Sequence, residues 1–430
     1  MLKRSNLASL TLSLAMLLAA ALLASPAVAA EPATAADKDA AATSTWTQWR
    51  GPSRDGITEG PDWPSKLALE PMYHVELGKG YPGPIVSDTM VFIVETHDKE
   101  TEQVRALDRE TGKEIWRASW AGTGEVPFFA AKNGDWVRST PAFDGEALYV
   151  GGMQETLLKL DAMTGEQLWK VSLPERFSTN PPDFGFASSP LIDGGDVYVQ
   201  AANSMVKLDG ETGETLWRSL VSEGDMMASG AFSSPVFATL HDVRQLLVQT
   251  RHEIHGVDAE TGDVLWKQFV PSFRGMNILT PMVMGNAIFT STYKNNSFLF
   301  EIGRDGTAWN AEKRWDSTAH AYMSSPIVID GHAYVHLGNG RLTCIDLESG
   351  ESTWTSTPFG EYWSMTARGD KILALDSGGE LVLLAANPKE LEVLDRQEIA
   401  QQSTWGYLAV AGDQIFVREL EGLSVYRWKN

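Results

Sequence analysis

From Pro84 onward, short apolar runs rich in β-branched and aromatic residues alternate with Asp/Gly turns. A Ser/Thr-Pro pair opens an apolar strand, a turn follows, and a second β-rich strand comes next. Thus Thr140-Pro141-Ala-Phe143-Asp144-Gly145 precedes Leu148-Tyr149-Val150, and Ser189-Pro190-Leu-Ile192-Asp193-Gly194 precedes Val197-Tyr198-Val199. Ser234-Pro235, Thr280-Pro281 and Ser325-Pro326 start the same pattern, and Pro84 a variant of it. Proline suits the first residue of a strand, where its missing N–H breaks no ladder.

Such a pair of strands precedes each copy of a second repeated unit, clearest as Leu160-Asp161-Ala-Met-Thr164-Gly165-Glu-Gln-Leu-Trp169. It recurs from Asp108 to Trp116, Asp209 to Trp217 and Asp258 to Trp266, with a weaker copy from Asp346 to Trp354. The Asp carboxylate can accept from amides two or three residues on, and Gly supplies the positive φ that closes a bulged hairpin. The Trp falls on the returning strand, where its ring can cover a joint between sheets. Trp169, Trp217 and Trp266 are 48 and 49 residues apart, the period of a four-stranded propeller blade.

Six Pro-marked units and two degenerate ones predict an all-β, eight-bladed propeller of four-stranded antiparallel sheets, with seven blades as the alternative. The degenerate units run from Trp363 to Glu398 and from Trp405 to Trp428, and the last supplies only three strands. Upstream, Tyr73 to Leu77 reads as an orphan outer strand. It is expected to complete the final blade, so that pairing of the N- and C-terminal strands closes the ring and removes free edges.

The Asp-x-x-Thr-Gly-x-x-x-Trp unit resembles the pyrroloquinoline-quinone (PQQ)-like repeat. That repeat is shared by quinoprotein alcohol dehydrogenases and by the propeller lipoprotein of the outer-membrane β-barrel assembly machinery. The opening Trp46-Thr-Gln48-Trp49-Arg50-Gly51-Pro52-Ser-Arg54-Asp55-Gly56 is similar to the lead-in of secreted bacterial PQQ-like propellers. The resemblance implies blade-docking roles for Trp116, Trp169, Trp217, Trp266 and Trp354.

Lys3 and Arg4 precede an apolar run from Leu7 to Leu23 and the small-residue site Ala27-Val28-Ala29. This pattern predicts a signal peptide over residues 1–29, cleaved after Ala29, and a periplasmic or secreted protein with no membrane span. Residues 30–45, almost free of large apolar groups, are expected to be a disordered linker, and 46–430 the propeller domain. Lys and Arg number 35 against 56 Asp and Glu, a net charge of −21. That balance and the lack of a basic cluster exclude a nucleic-acid partner. Cys344, the only cysteine, sits in an alternating strand and is expected to be a buried, inert thiol.

Catalytic constellations are not found in the sequence. A single cysteine provides neither the adjacent-cysteine disulfide of the quinoprotein alcohol dehydrogenases nor a Cys-x-x-Cys-His haem site. Their calcium ligands cannot be placed on this chain. Arg251-His252-Glu253-Ile254-His255 misses zinc-protease spacing and reads as solvated loop residues, and His332 with His336 lacks a third ligand.

What remains is the set of loops from each outer strand to the next inner strand, which gather at one mouth of a propeller channel. They carry Tyr81, Phe128, Phe129, Phe184, Met226, Phe232, Met276, His320, Tyr362 and Tyr407. Seven more loop residues, Trp136, Arg138, Phe186, Arg274, Tyr322, Trp363 and Trp405, are the candidate ligand-binding set, an aromatic funnel with two cationic anchors. The expected function is non-catalytic binding or scaffolding, without a cofactor, of an envelope protein or small-molecule ligand at this face. The alternative is a quinoprotein-type oxidoreductase, a PQQ-dependent alcohol or sugar dehydrogenase with PQQ and calcium.

Overall fold

The computed structural model describes residues 44–429 apart from 99, 123 and 224–229. The expected leader, nearly all of the linker, and Met226 lie outside the described residues. The chain forms eight four-stranded antiparallel sheets, an eight-bladed propeller, which sets the seven-bladed alternative aside. In seven blades the four strands are consecutive. The eighth combines Ala409–Ala411, Gln414–Glu419 and Gly422–Trp428 with Leu69–Glu76 from the start of the chain. Val75 pairs with Leu423 and Tyr73 with Val425, so the ring closes as the orphan strand predicts.

The middle strands of each blade are packed on both faces by neighbouring blades and are therefore almost uniformly apolar and buried, as in Met90–Thr96 and Ala147–Gly151. Outer strands face solvent on one side and alternate, as in Glu114–Ala121.

The Asp turns form as their residues dictate. Asp161 Oδ1 accepts from the backbone N–H groups of Met163 and Thr164, at 3.0 and 2.8 Å, and from the Thr164 hydroxyl at 2.8 Å. Gly165 closes the turn at φ 75°. A register shift lies between Lys159 and Leu160, just before the turn, and recurs at the matching place in the blades carrying Asp108, Asp209, Asp258 and Asp346.

Each docking Trp joins its blade to the next. The indole N–H donates to a carbonyl in the neighbouring blade's turn between third and fourth strands: Trp116 to Ala162, Trp169 to Gly210 and Trp217 to Ala259, beside Asp turns and all at 3.0 Å, and Trp354 to Asn387, in a blade without that motif, at 2.9 Å. Trp266 differs only in its N–H: the buried ring packs with Phe298 and Phe300 of the following blade, as expected, while the N–H donates to Gln245 Oε1 within its own blade, at 2.7 Å. Trp315, which follows a hairpin without the motif, takes the docking role the repeat did not reveal, donating to Leu347 O at 2.9 Å. At the closing joint Tyr73 substitutes, its hydroxyl donating to Arg109 O at 2.8 Å.

The prolines immediately precede the inner strands rather than starting them. Their Ser/Thr partners have a role that strand patterning does not expose. Gly83 N–H donates to Thr140 Oγ1 at 3.0 Å, Thr140 N–H to Ser189 Oγ at 3.2 Å, and Ser189 N–H to Ser234 Oγ at 3.0 Å. Hydroxyls thus link successive blades along the channel wall. Cys344 is buried in its strand, where burial pushes the thiol pKa up.

Candidate functional site

In an antiparallel four-stranded blade, the outer-to-inner connections and the hairpins between second and third strands emerge at the same end. Their rings meet in a nearly continuous crown. Trp136 packs edge-on against Tyr81 with centroids 5.7 Å apart, Tyr81 stacks on Trp405 at 5.1 Å, and Trp405 meets Tyr362 at 4.2 Å. The line continues through Tyr322 at 5.2 Å, Tyr293 at 4.6 Å and Phe273 at 5.9 Å. On the other side Phe129, Phe184 and Phe232 succeed one another at 6.2 and 5.7 Å. Every inter-blade loop thereby contributes a ring.

The crown encloses a cavity of about 460 Å³, within the range of small-ligand sites. Its base is set by the lead-in segment, which threads the channel. Trp46 pairs through its backbone with Val86 at 2.8 Å, Phe143 N–H donates to Thr47 O at 2.8 Å, and Ala367 N–H donates to Gly56 O at 2.8 Å. Trp49 Nε1 donates to Thr280 Oγ1 at 3.0 Å. Arg50 and Arg54, both fully buried, fan their guanidiniums onto carbonyls left by the Ser/Thr-Pro pairs. Arg50 reaches Pro326 O at 2.5 Å, and Arg54 reaches Pro190 O at 2.7 Å and Ser189 O at 3.1 Å. Burial and the nearby Arg50 charge lower the Arg54 pKa to about 9, so Arg54 stays charged at neutral pH. The lead-in is an internal plug, tying blades on opposite sides of the axis.

Of the seven candidate residues, Arg138, Arg274, Tyr322, Trp363 and Trp405 line this one cavity. Trp136 stands behind Tyr81, outside the wall. Phe186 lies below it, 2% exposed, in the core between the second and third blades. Trp363 is also largely buried, stacked on His336 at 5.0 Å. Two residues of the mouth, Tyr293 and Lys294, escaped the sequence reading because they sit on a hairpin inside the fifth blade rather than on an inter-blade loop. The aromatic and basic pair at the tip of 292–296 was the available signal.

Ser324 Oγ and His336 Nδ1 approach to 3.4 Å, but both residues are buried, Ser324 Oγ accepts from Trp363 N–H at 2.8 Å, and desolvation holds His336 neutral with a pKa of about 4. The 251–255 run does not read out as solvated loop. His255 is 4% exposed on the strand Glu253–Val257, because alternate side chains of that strand face the preceding blade. Among the described residues no three His, Cys, Asp or Glu come together as a metal site, and the described cavity wall contains no carboxylate. Calcium requires several oxygen ligands with carboxylates among them, so the residues present do not fit PQQ with calcium. A second hollow of about 750 Å³ lies between the third and fourth blades, but Glu223 and Gly230 on its wall border the undescribed 224–229.

Comparison with known proteins agrees with this architecture. The chain is 21% identical over 316 residues to an outer membrane protein assembly factor BamB of Yersinia pestis, covering 71% of this chain and 66% of that protein. A BamB from Moranella endobia is 21% identical over 70% of this chain and 64% of its own length. The match therefore spans just under two thirds of these relatives. Among solved structures, BamB from Moraxella catarrhalis superposes with a TM-score of 0.61 at 16% identity, covering 84% of this chain and 99% of the other. The quinohemoprotein alcohol dehydrogenase ADHIIG from Pseudomonas putida also gives 0.61, at 13% identity over 90% and 80% of the two chains. At these identities the superpositions speak to the fold alone. The PQQ_2 family model, described as outer membrane protein assembly factor BamB, matches residues 100–356, more than half of the chain, and the chain belongs to that family of PQQ-like propellers.

Proposed function

We propose that this chain is an exported, non-catalytic binding or scaffold propeller that receives an envelope protein or a small-molecule ligand at the mouth of its channel. The observation that carries this reading is the crown itself, one ring from every inter-blade loop around a cavity whose described wall holds no carboxylate, histidine or cysteine. Phe128 is 91% exposed, and Phe129 and Phe273 extend the same apolar rim, the composition of a recognition surface. Membership of the BamB family and the leader pattern of residues 1–29 support placement in the periplasm or outside the cell. The described residues contain no helix long and apolar enough to cross a membrane. Fold by itself assigns no activity, and the absence of fitting calcium ligands removes the support for a PQQ-dependent dehydrogenase.

The test is site-directed photo-crosslinking in intact envelopes, with the reactive side chain placed at Tyr322 on the mouth or at Glu348 on the opposite end of the ring. The expected result is an adduct or a protected ligand signal at position 322 that is lost with Trp405→Ala and absent at 348. Dye-linked alcohol oxidation on adding PQQ and calcium to the purified protein, lost with the same variant, would overturn the reading.

A further inference from the structure

Acidic residues outnumber basic ones by 56 to 35 in this chain, so an exposed cation has many carboxylates available to pair with. Most exposed arginines here do pair: Arg117 with Glu114, Arg244 with Asp193, Arg396 with Glu380 and Arg427 with Glu110. The mouth departs from that pattern. Among the described residues Arg138, Arg274 and Lys294 form no ion pair with a carboxylate. They lie against aromatic faces instead, Arg138 over Tyr81 at 5.6 Å, Arg274 over Phe273 at 5.2 Å, and Lys294 over Phe273 and Tyr293 at 5.1 Å. Arg138 is held by a single hydrogen bond from its NH2 group to Gly134 O at 2.7 Å, and its Nε is buried without a partner.

The backbone adds a second, independent observation. Arg274, Lys294 and Tyr362 adopt left-handed φ values of 52°, 52° and 53°, where residues with a Cβ are strained. Glycine would relieve each. Arg274 and Tyr362 line the cavity and Lys294 lies over two of its rings, so three long side chains hold a left-handed backbone at one mouth, a relation also found at binding sites. Tyrosines 293, 322 and 362 stand side by side on the same wall, with ring centroids 4.6 and 5.2 Å apart, and their hydroxyls supply further donors beside the cations.

We infer that the mouth takes an anionic ligand, a carboxylate or equivalent oxyanion carried on an aromatic or apolar body, the rings stacking on the body while Arg138, Arg274 and Lys294 meet the charge. This rests on the binding reading above and adds its ligand class. Guanidinium groups form forked hydrogen bonds with carboxylates, and cations already seated on rings are partly stripped of water, which strengthens their attraction for an anion. In a protein of net charge −21, an unpaired basic mouth also steers anions to one place on an otherwise repelling surface. The oxyanion can belong to a free small molecule or to the C-terminal residue of a polypeptide.

The experiment uses the purified chain and two probes that differ by one charged group, 8-anilinonaphthalene-1-sulfonate and its neutral counterpart N-phenyl-1-naphthylamine, titrated by fluorescence. The sulfonate is expected to bind about tenfold more tightly. The triple variant Arg138→Gln, Arg274→Gln, Lys294→Gln should erase that preference by weakening the sulfonate far more than the neutral probe, and Trp405→Ala should weaken both probes. Equal binding of the two probes, or a preference that survives the triple variant, overturns the anionic assignment and leaves the aromatic mouth standing. Binding of neither probe, with no crosslink at Tyr322, removes the binding reading as well. Comparing N-acetyltryptophan with a longer peptide ending in tryptophan carboxylate, each against its amide, then separates the two sources: a tighter peptide assigns a chain end, and equal affinities assign a free molecule.

Discussion

The indole N–H of Trp116 donates to Ala162 O, and the same ring covers Gly165, where an added Cβ would come within 2.5 Å of it. Ring and glycine are two halves of one joint, since the Gly that closes the Asp turn also makes the flat seat on which the preceding blade's Trp lies. The relation repeats between Trp169 and Gly213, Trp217 and Gly262, and Trp315 and Gly350. Gly165→Ala therefore meets both a positive φ and a collision, and should cost about 2–4 kcal/mol in urea unfolding. Trp116→Ala should cost about 3–5 kcal/mol. A Gly165→Ala variant as stable as the parent would show that the seat is not needed.

Closure of the ring rests on the pairing of Leu69–Glu76 with Gly422–Trp428. Tyr73 reinforces it by capping the first blade through Arg109 O. Val75→Pro removes a donor from that strand and fixes φ near −65°. It should lower the melting temperature markedly, whereas the same change at the exposed loop residue Glu390 of the seventh blade should have a much smaller effect. Equal melting of the two variants would place the closing contact elsewhere.

These joints mark what the sequence makes legible. Asp turns, strand count and closure follow from local chemistry, because a carboxylate, a positive φ and alternating apolar positions act within a few residues of one another. Trp315 was missed, and the in-blade hydrogen bond of Trp266 was not foreseen, because the partner of each indole N–H is set by the neighbouring blade's turn, 32 to 46 residues away in the five indole joints. The mouth was legible as a collection of loop aromatics. Their depth was not, since nothing local distinguishes buried Phe186 and half-hidden Trp136 from Tyr322 and Trp405 on the wall. The plug escaped notice for the same reason: Arg50 and Arg54 become channel-filling groups only when carbonyls from distant blades converge on them.

The hydroxyl links along the channel give a sharper test of the Ser/Thr-Pro pairs. Ser189→Ala leaves the buried Thr140 N–H without its acceptor, a loss of about 1–3 kcal/mol. Ser189→Thr keeps the oxygen and should restore most of that stability. Equal loss in both variants would mean that packing, rather than the hydroxyl, sets the requirement.

Two carboxylates couple blade joints to pH. Glu102 accepts from Trp120 Nε1 at 2.8 Å and from Met153 N–H of the next blade at 3.0 Å, and Glu155 Oε2 accepts from Ala202 N–H of the blade after that at 2.8 Å. Burial raises both pKa values from 4.5 to about 7. A folded-state pKa above the unfolded one means the folded protein binds more protons, so this contribution to stability is fully present below about pH 4.5 and is lost as pH rises through about 7. At pH 8 each buried charge costs on the order of 3 kcal/mol relative to acid. Glu155→Gln removes the charge and keeps one acceptor oxygen for the single donor it serves, so it should raise the melting temperature at pH 8 and leave it unchanged at pH 4. Glu102→Gln has one acceptor oxygen for two donors and places an NH2 group against one of them, so its gain at pH 8 should be smaller or reversed. Melting curves of the two variants across pH 4 to 8 would decide the matter, and a Glu155→Gln profile parallel to the parent's would show that the carboxylate does not titrate within that window.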